Sequence, residues 1–417
     1  MRHPRRHRLV ESMLLAVVAA EVGVRLLSPR EPPIEPAQVD LETYFSQAEI
    51  ERGRRFARPQ LALALTRGAI ELASLVLVVR RPPRRLYRLF GRRPEAAGAA
   101  SAAALVVGLS LPPLPLQAIS RRRGISVGLV TQSWRGWAAD LLKGAGIEAV
   151  LAGGAGAAVV AITRRYPRGW WLPASAGSVL FGAGLAALAP VVLDPVFNDF
   201  TPLPEGETRS DVLELAAAAG VSVGEVFSID ASRRTTAANA YVTGLGPTKR
   251  VVLFDTLLDR YNRDEVRVVV AHELAHVRNR DVLRGLIYAA LVAPAAALAV
   301  QRLSWALSPE RGSAGALPAL ALAAVLVGAP TGLIGNRLSR ALERRSDAYS
   351  LELTGAADAF ISFERAIALQ NVADLTPPRW LASLLATHPP TAERIGAAVT
   401  YAQSSQAGYS EDGSSIP

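Results

Sequence analysis

The chain has no cysteine. Disulfides are excluded, and so are thiolate metal ligands, which leaves His, Asp and Glu to hold any metal. Lysine is nearly absent: Lys143 and Lys249 are the only two among 46 basic residues. Aromatic residues make up 6% of the chain, and the arginines fall between apolar stretches rather than along one aromatic-interleaved stripe. A nucleic-acid surface would need such a stripe, so no nucleic-acid partner is expected. These arginines read instead as loop anchors facing lipid headgroups. What the chain has in abundance is apolar sequence, 50% of 417 residues. Its expected surroundings are therefore a lipid bilayer, as a multi-pass integral protein of a cell membrane.

Seven stretches are long enough to cross about 30 Å of hydrocarbon at 1.5 Å per residue. They lie near 9–28, 61–80, 97–119, 145–163, 170–193, 285–306 and 315–336. A soluble hydrolase with a buried apolar core is excluded by that count. The opening MRHPRRHR resembles the start of a signal peptide, but Glu11, Glu21 and Arg25 interrupt the run that follows, and no small-x-small cleavage site is present. A retained first membrane helix is expected. Glu21 with Arg25, and Arg67 with Glu71, are spaced four apart, so each acid and base can pair on one helix face or, alternatively, face a watery chamber within the bundle. Arginine and lysine number about 16 in the loops on the N-terminal side and about 10 on the other, which would put the N-terminus in the cytoplasm.

Between the fifth and sixth spans lies the one long stretch of soluble character, roughly 194–284. Asp211 to Gly220 has helical spacing with a glycine stop, and Glu225 to Ile229 and Val251 to Phe254 read as short strands. Asn262 followed by Glu265 forms a capping-box pattern, after which Val266, Val269, Val270, Leu274 and Val277 repeat at three- and four-residue spacing. The fold class expected is mainly α, a multi-pass helical membrane protein of about seven spans with a small α+β domain.

The segment HELAH sits inside that amphipathic helix. His272 and His276 are i and i+4, so both imidazoles project from one face and can reach one ion about 2.0–2.1 Å from each nitrogen. Glu273 lies beside that face, where its carboxylate can take a proton from a metal-polarised water and pass it to a leaving amine. This is the H-E-x-x-H arrangement of metalloproteases. With five histidines in the chain, chance supplies roughly 0.003 such motifs, so accident is a poor explanation. A catalytic zinc takes three protein ligands and keeps one position open. No further histidine lies nearby, so an acid is sought downstream, after the seventh span. There Glu343 and Asp347 share a helix face, and one can ligate while the other orients a ligating imidazole.

The arrangement resembles the membrane-embedded gluzincins, the family of the type 1 CAAX prenyl endopeptidases and the bacterial heat-shock membrane proteases. In that family a HExxH helix precedes two membrane spans, and an S-R-x-x-E-x-x-A-D segment follows. Here that segment reads SRALERRSD (339–347), with Ser346 in place of the alanine. PVFNDFTPLPEGETR (195–209), SIDASRRTTAANAYVTGLGPTKRVVLFDTLL (228–258) and THPPTAERI (387–395) match the prenyl-endopeptidase branch in order and spacing, and the loop at 120–144 matches more loosely. The resemblance covers most of the chain from about residue 118. It implies one zinc ion per chain held by His272, His276 and Glu343, with Glu273 as general base and Asp347 behind the ligands. It implies that Asn239, Ala240 and Tyr241 form the edge that pairs with an extended substrate, the alternative being an ordinary hairpin strand. It places His388 and Arg394 near the catalytic centre, where they could stabilise the oxyanion. The alternatives are a cap before Pro389-Pro390 for His388 and a salt bridge for Arg394. The implied topology puts catalysis on the cytosolic side, opposite to the arginine count.

The organisation expected is a membrane region at 1–193 and a metalloprotease domain at 194–284. Two spans follow at 285–336, then a segment at 337–401 with the third ligand, and a disordered tail at 402–417. The function expected is a zinc metalloendopeptidase acting on peptides or membrane proteins, either as a narrow prenyl-endopeptidase-like processor or as a broad quality-control protease. A transporter or scaffold with a relict metal site would lack the general base, and Glu273 is present.

Overall fold

The structure is a computed structural model describing residues 3–30, 34–82, 93–244 and 249–412. Most of the arginine-rich stretch 80–95, residues 245–248 and tail residues 413–417 lie outside the described residues.

The chain is mainly helical. The N-terminal half consists of α1 (His3–Leu27), α2 (Gln47–Arg80), α3 (Pro94–Ser110), α4 (Leu114–Ser126), α5 (Trp134–Arg165) and α6 (Trp171–Val192). The expected third span is bent by 50° between α3 and α4. Pro112 and Pro113 stand at the break, where neither can donate a backbone N–H and each ring clashes with the turn before it. Helices α3 and α5 cross on small residues: a Cβ on Gly156 would lie 2.6 Å from the Gly98 carbonyl and 2.5 Å from Ala102. Such close backbone approach is how helices associate in lipid, where the hydrophobic effect gives no drive.

The soluble-looking stretch combines helices with a small sheet. It holds α7 (Glu207–Ala218), α8 (Asp255–Arg260), α9 (Arg263–Arg278) and a four-stranded sheet of β1 (Phe200–Pro202), β2 (Glu225–Ile229), β3 (Ala240–Thr243) and β4 (Arg250–Phe254). The sheet order is β1-β2-β4-β3, with β2 and β4 parallel and both edge strands antiparallel. Val212 and Leu215 of α7, Val226, Val251 and Leu253 of the sheet, and Val266, Val270 and Leu274 of α9 form one buried core. The Asn262–Glu265 capping box is present in both directions. The valine and leucine periodicity thus glues one face of α9 to the sheet, and its histidine face points away from that core.

Two long helices follow, α10 (Asp281–Leu307) and α11 (Leu317–Thr354), then α12 (Ala357–Gln370), α13 (Arg379–Leu385) and α14 (Thr391–Asp412). The last span and the charged segment after it are one 38-residue helix, and α14 runs to Asp412, into the tail expected to be disordered. Ile395 and Ala398 explain its docking, since both are completely buried against the neighbouring helices. Helices α2, α5, α6, α10 and α11 are long and apolar enough to cross a bilayer, and the bent α3–α4 pair makes six. By length and apolarity the described residues thus supply five to six spans where seven were expected. The difference is α1, whose 25 residues include Glu11, Glu21 and Arg25.

Candidate metal centre

The helix break after α9 sets the geometry of the site. Helix α9 ends at Arg278, Arg280 adopts the left-handed conformation (φ 56°), and α10 starts at Asp281. Left-handed φ on a residue other than glycine is strained, and here it turns the Asp281 carboxylate back onto the preceding helix. Helix α11 then packs against α9 and brings in Glu343, Ser346 and Asp347, all buried.

His272, His276 and Glu343 converge as a group able to hold a metal ion. The two Nε2 atoms lie 3.2 Å apart, and Glu343 oxygens lie 3.3 Å from His272 Nε2 and 3.6 Å from His276 Nε2. Ligands about 2.0–2.2 Å from a tetrahedral zinc stand about 3.3–3.6 Å from one another, so the spacing fits such an ion. The far side of each imidazole faces a carboxylate: His272 Nδ1 is 2.9 Å from Asp347 Oδ1, and His276 Nδ1 is 2.9 Å from Asp281 Oδ2. A proton held on each Nδ1 by its carboxylate would leave each Nε2 lone pair facing inward. Glu343 Oε2 is buried and accepts no hydrogen bond among the described residues. Two lone pairs and a carboxylate facing one point repel one another unless a cation lies between them.

Asp347 lies behind His272, 2.9 Å from its Nδ1. Asp281 was not singled out from the sequence, because only the turn at Arg280 brings it back to His276. Ser346 Oγ also reaches His276 Nδ1 at 3.2 Å, and Arg345 pairs with Asp281, so the hydroxyl standing where the family has alanine contacts a ligand.

Glu273 and His272 line a cavity of about 330 Å³ together with Asn239, Glu364, His388 and Arg394. Burial pushes the Glu273 carboxyl above the ordinary carboxylate range, against the pull of the two imidazoles. His388 stands at the mouth, 63% exposed, with Nε2 3.5 Å from Glu343 Oε2. Arg394 is buried and bridges two acids: Nε and Nη2 donate to Asp347 at 2.8 and 2.5 Å, and Nη1 pairs with Glu364 at 2.5 Å. Its guanidinium is thus committed to the salt bridge that was the alternative to an oxyanion role. Glu364 is a second residue the sequence reading missed, because a single acid on an amphipathic helix carries no motif. In the expected substrate strand, Asn239 lines the cavity, Ala240 is buried in the sheet core, and Tyr241 donates its hydroxyl to Asp194 at 3.0 Å. The 120–144 loop pairs with the segment just before this strand: Thr131 N donates to Arg234 O and Thr236 N to Leu129 O.

A helical membrane chain with two imidazoles and a carboxylate gathered beside a third acid defines a membrane metalloprotease. The comparisons agree. The pattern described as peptidase family M48 matches residues 202–402, and that of the CAAX prenyl protease N-terminal region, five membrane helices, matches residues 35–199. The uncharacterized metalloprotease YhfN of Bacillus subtilis is 30% identical over 295 residues, 69% of each chain. CAAX prenyl protease 1 of Saccharomyces cerevisiae is 41% identical over 105 residues, 25% of this chain but only 23% of that protein's length. The HtpX protease homolog of Pyrococcus abyssi is 34% identical over 206 residues, 44% of this chain and 69% of that one. The crystal structure of S. mikatae Ste24p shares the fold, with TM-score 0.77 at 20% identity, covering 94% of this chain and 98% of that one. The chain belongs to peptidase family M48.

Proposed function

We propose that the protein is a zinc-dependent endopeptidase that cleaves peptides or membrane proteins lying in extended form beside the metal centre. The observation that supports it most is the 3.2–3.6 Å triangle of His272, His276 and Glu343 with a carboxylate behind each imidazole. A zinc ion held there supplies Lewis acidity, polarising a carbonyl and acidifying a water. Glu273 accepts the proton of the attacking water and delivers it to the leaving amine, a role suited by a carboxyl whose affinity for protons is already raised. Asp347 and Asp281 hold the imidazole tautomers, and Arg394 fixes Asp347 from behind. His388, largely exposed yet beside Glu343, would hydrogen-bond the developing oxyanion. Asn239, Ala240 and Tyr241 are the segment proposed to hold substrate by backbone pairing. We take α1 as a seventh span, and the substrate class as peptide without commitment to a prenyl group.

The deciding experiment is a paired one on the purified full chain. Glu273→Gln should keep about one zinc per chain and lose nearly all turnover, because the amide fills the space but accepts no proton. His272→Ala and Glu343→Ala should lose the metal. Wild-type cleavage by Glu273→Gln would sink the general-base role, and full activity of a thoroughly metal-free wild type would sink the reading as a whole.

A further inference from the structure

About 30 Å along α10 from the metal centre, at the opposite end of the bundle, lies a cavity of about 830 Å³ between the starts of α1 and α6 and the end of α10. Arg8, Arg168, Arg302 and Arg311 line it, and Arg8, Arg168 and Arg302 have no carboxylate partner among the described residues. Trp170, Trp171 and Trp305 line it too. Tryptophan concentrates at the depth of lipid headgroups, so this end of the bundle lies at a membrane–water interface. Four arginines in one recess give it a basic lining whose guanidinium groups repel one another and favour an anion between them.

A second recess of about 770 Å³ is lined by residues next to those of the first, Gly169 beside Arg168 and Leu172 beside Trp171, and lies in the apolar part of the bundle. Its walls are Leu172, Val179 and Leu180 of α6 and Ala290, Ala293 and Pro294 of α10. Pro294 is one helical turn from Leu298 of the first cavity. Leu172 and Leu180 are 58% and 72% exposed along this groove. A soluble anion would fill only the polar recess, and a partner helix would fill only the apolar one. A phospholipid with an anionic headgroup fills both, with its phosphodiester on the arginines and an acyl chain along α6.

We propose that this pair of recesses is a specific site for an anionic phospholipid, on the face of the membrane opposite the peptidase centre. Charge complementarity carries the choice of occupant, because an acid (Glu310) stands against the arginines only once in the lining, and a zwitterionic headgroup would bring its own cation into the recess.

The test uses the full chain in neutral detergent with phosphatidylglycerol or phosphatidylcholine brominated on the acyl chain, read by quenching of tryptophan fluorescence. Phosphatidylglycerol should quench at lower mole fraction than phosphatidylcholine. The triple variant Arg8→Gln, Arg168→Gln, Arg302→Gln should lose that preference by about 10–100-fold, since each arginine near a headgroup contributes a comparable share. Removing as many charges at Arg122, Arg135 and Arg260 should leave it intact, and the melting temperature in phosphatidylcholine tells whether the triple variant is folded. Equal quenching by the two lipids, or a folded triple variant with undiminished preference, overturns the proposal. So does displacement of the lipid by inorganic phosphate or glycerol phosphate alone at millimolar concentration, which would make the site one for a soluble anion.

Discussion

Asp281 and Asp347 do the same physical work from different elements. Each carboxylate stands 2.9 Å from an Nδ1, on the side of the imidazole away from the centre, where it would hold a proton on that nitrogen. Asp347 was legible because it shares a helix face with Glu343, four residues away. Asp281 was not, because its approach depends on the left-handed turn at Arg280, which no local spacing encodes. Asp281→Ala and Asp347→Ala should each weaken zinc binding by about 10–100-fold without abolishing it. Competition against a chelator of known affinity measures this, and an unchanged affinity would reduce either residue to a buried charge without influence on the ligands. Glu364 makes a different demand. Burial raises its carboxyl to about 7, although Arg394 pulls it down. Its folded-state proton affinity then exceeds that of the unfolded chain, near 4.3. The contribution to stability is present below that lower value and is lost as pH rises toward 7. In chelator-treated protein, Glu364→Gln should flatten the fall in melting temperature between about pH 5 and pH 8. Parallel curves for variant and wild type would show that Glu364 is ionised throughout.

At the scale of elements, the helix bearing HELAH and the strands β2 and β4 were readable because each has its own periodicity and flanking signals. Two features were not. The paired prolines at 112–113 sit inside an apolar run, so hydropathy alone read one span where the backbone bends. The composition of α11 changes near Asn336, where the charged helix was expected to continue from the seventh span, and the backbone runs through unbroken, so a single rod carries Glu343 to the candidate metal centre. Strand β3 allows a sharper prediction than sequence did. Phe254 N donates to Asn239 O, and the register pairs Ala240 with Leu253 and Tyr241 with Val252. Antiparallel partners alternate between bonded and non-bonded pairs, so Tyr241 bonds to β4 and the N–H of Ala240 points to the free edge. Ala240→Pro should therefore raise KM about fivefold or more while zinc content stays normal, through loss of one backbone donor to the substrate. Tyr241→Pro should instead lower the melting temperature, because it removes a ladder bond. If Ala240→Pro keeps zinc, fold and wild-type kinetics, the substrate does not pair on this edge.

For the molecule as a whole, the open question is whether α1 crosses the membrane. Its composition argues against it and its packing argues for it. Arg302 of α10 reaches the Arg8 carbonyl at one end, and Arg284 of α10 donates to the Leu27 carbonyl at 3.0 Å at the other. Between them Ala16 packs with Ala299 and Val327, and Val24 packs with Tyr288 and Leu338. Helix α1 thus runs beside α10 over almost its full length, and α10 is apolar enough to span. The charges that spoil its hydropathy are accounted for: Glu21 pairs with Arg25, as its spacing predicted, and also with Arg337 of α11 at 2.5 Å. Its outer face presents Leu14, Val18 and Leu26, each more than half exposed, as lipid-facing residues would be. The Arg67–Glu71 pair expected on α2 does not form among the described residues, so pairing rescues α1 and not α2. Seven spans place the first residues and the residue after α14 on opposite sides of the membrane, whereas six place them on the same side. Reporter fusions at both ends, scored for cytoplasmic or exported activity, should give opposite answers. Which end is cytoplasmic then decides between the arginine count, 16 against 10 in favour of the N-terminal side, and a peptidase centre facing the cytosol. The same answer from both reporters would mean that α1 lies along the bundle without crossing, and its contacts with α10 would have to be made from one interface.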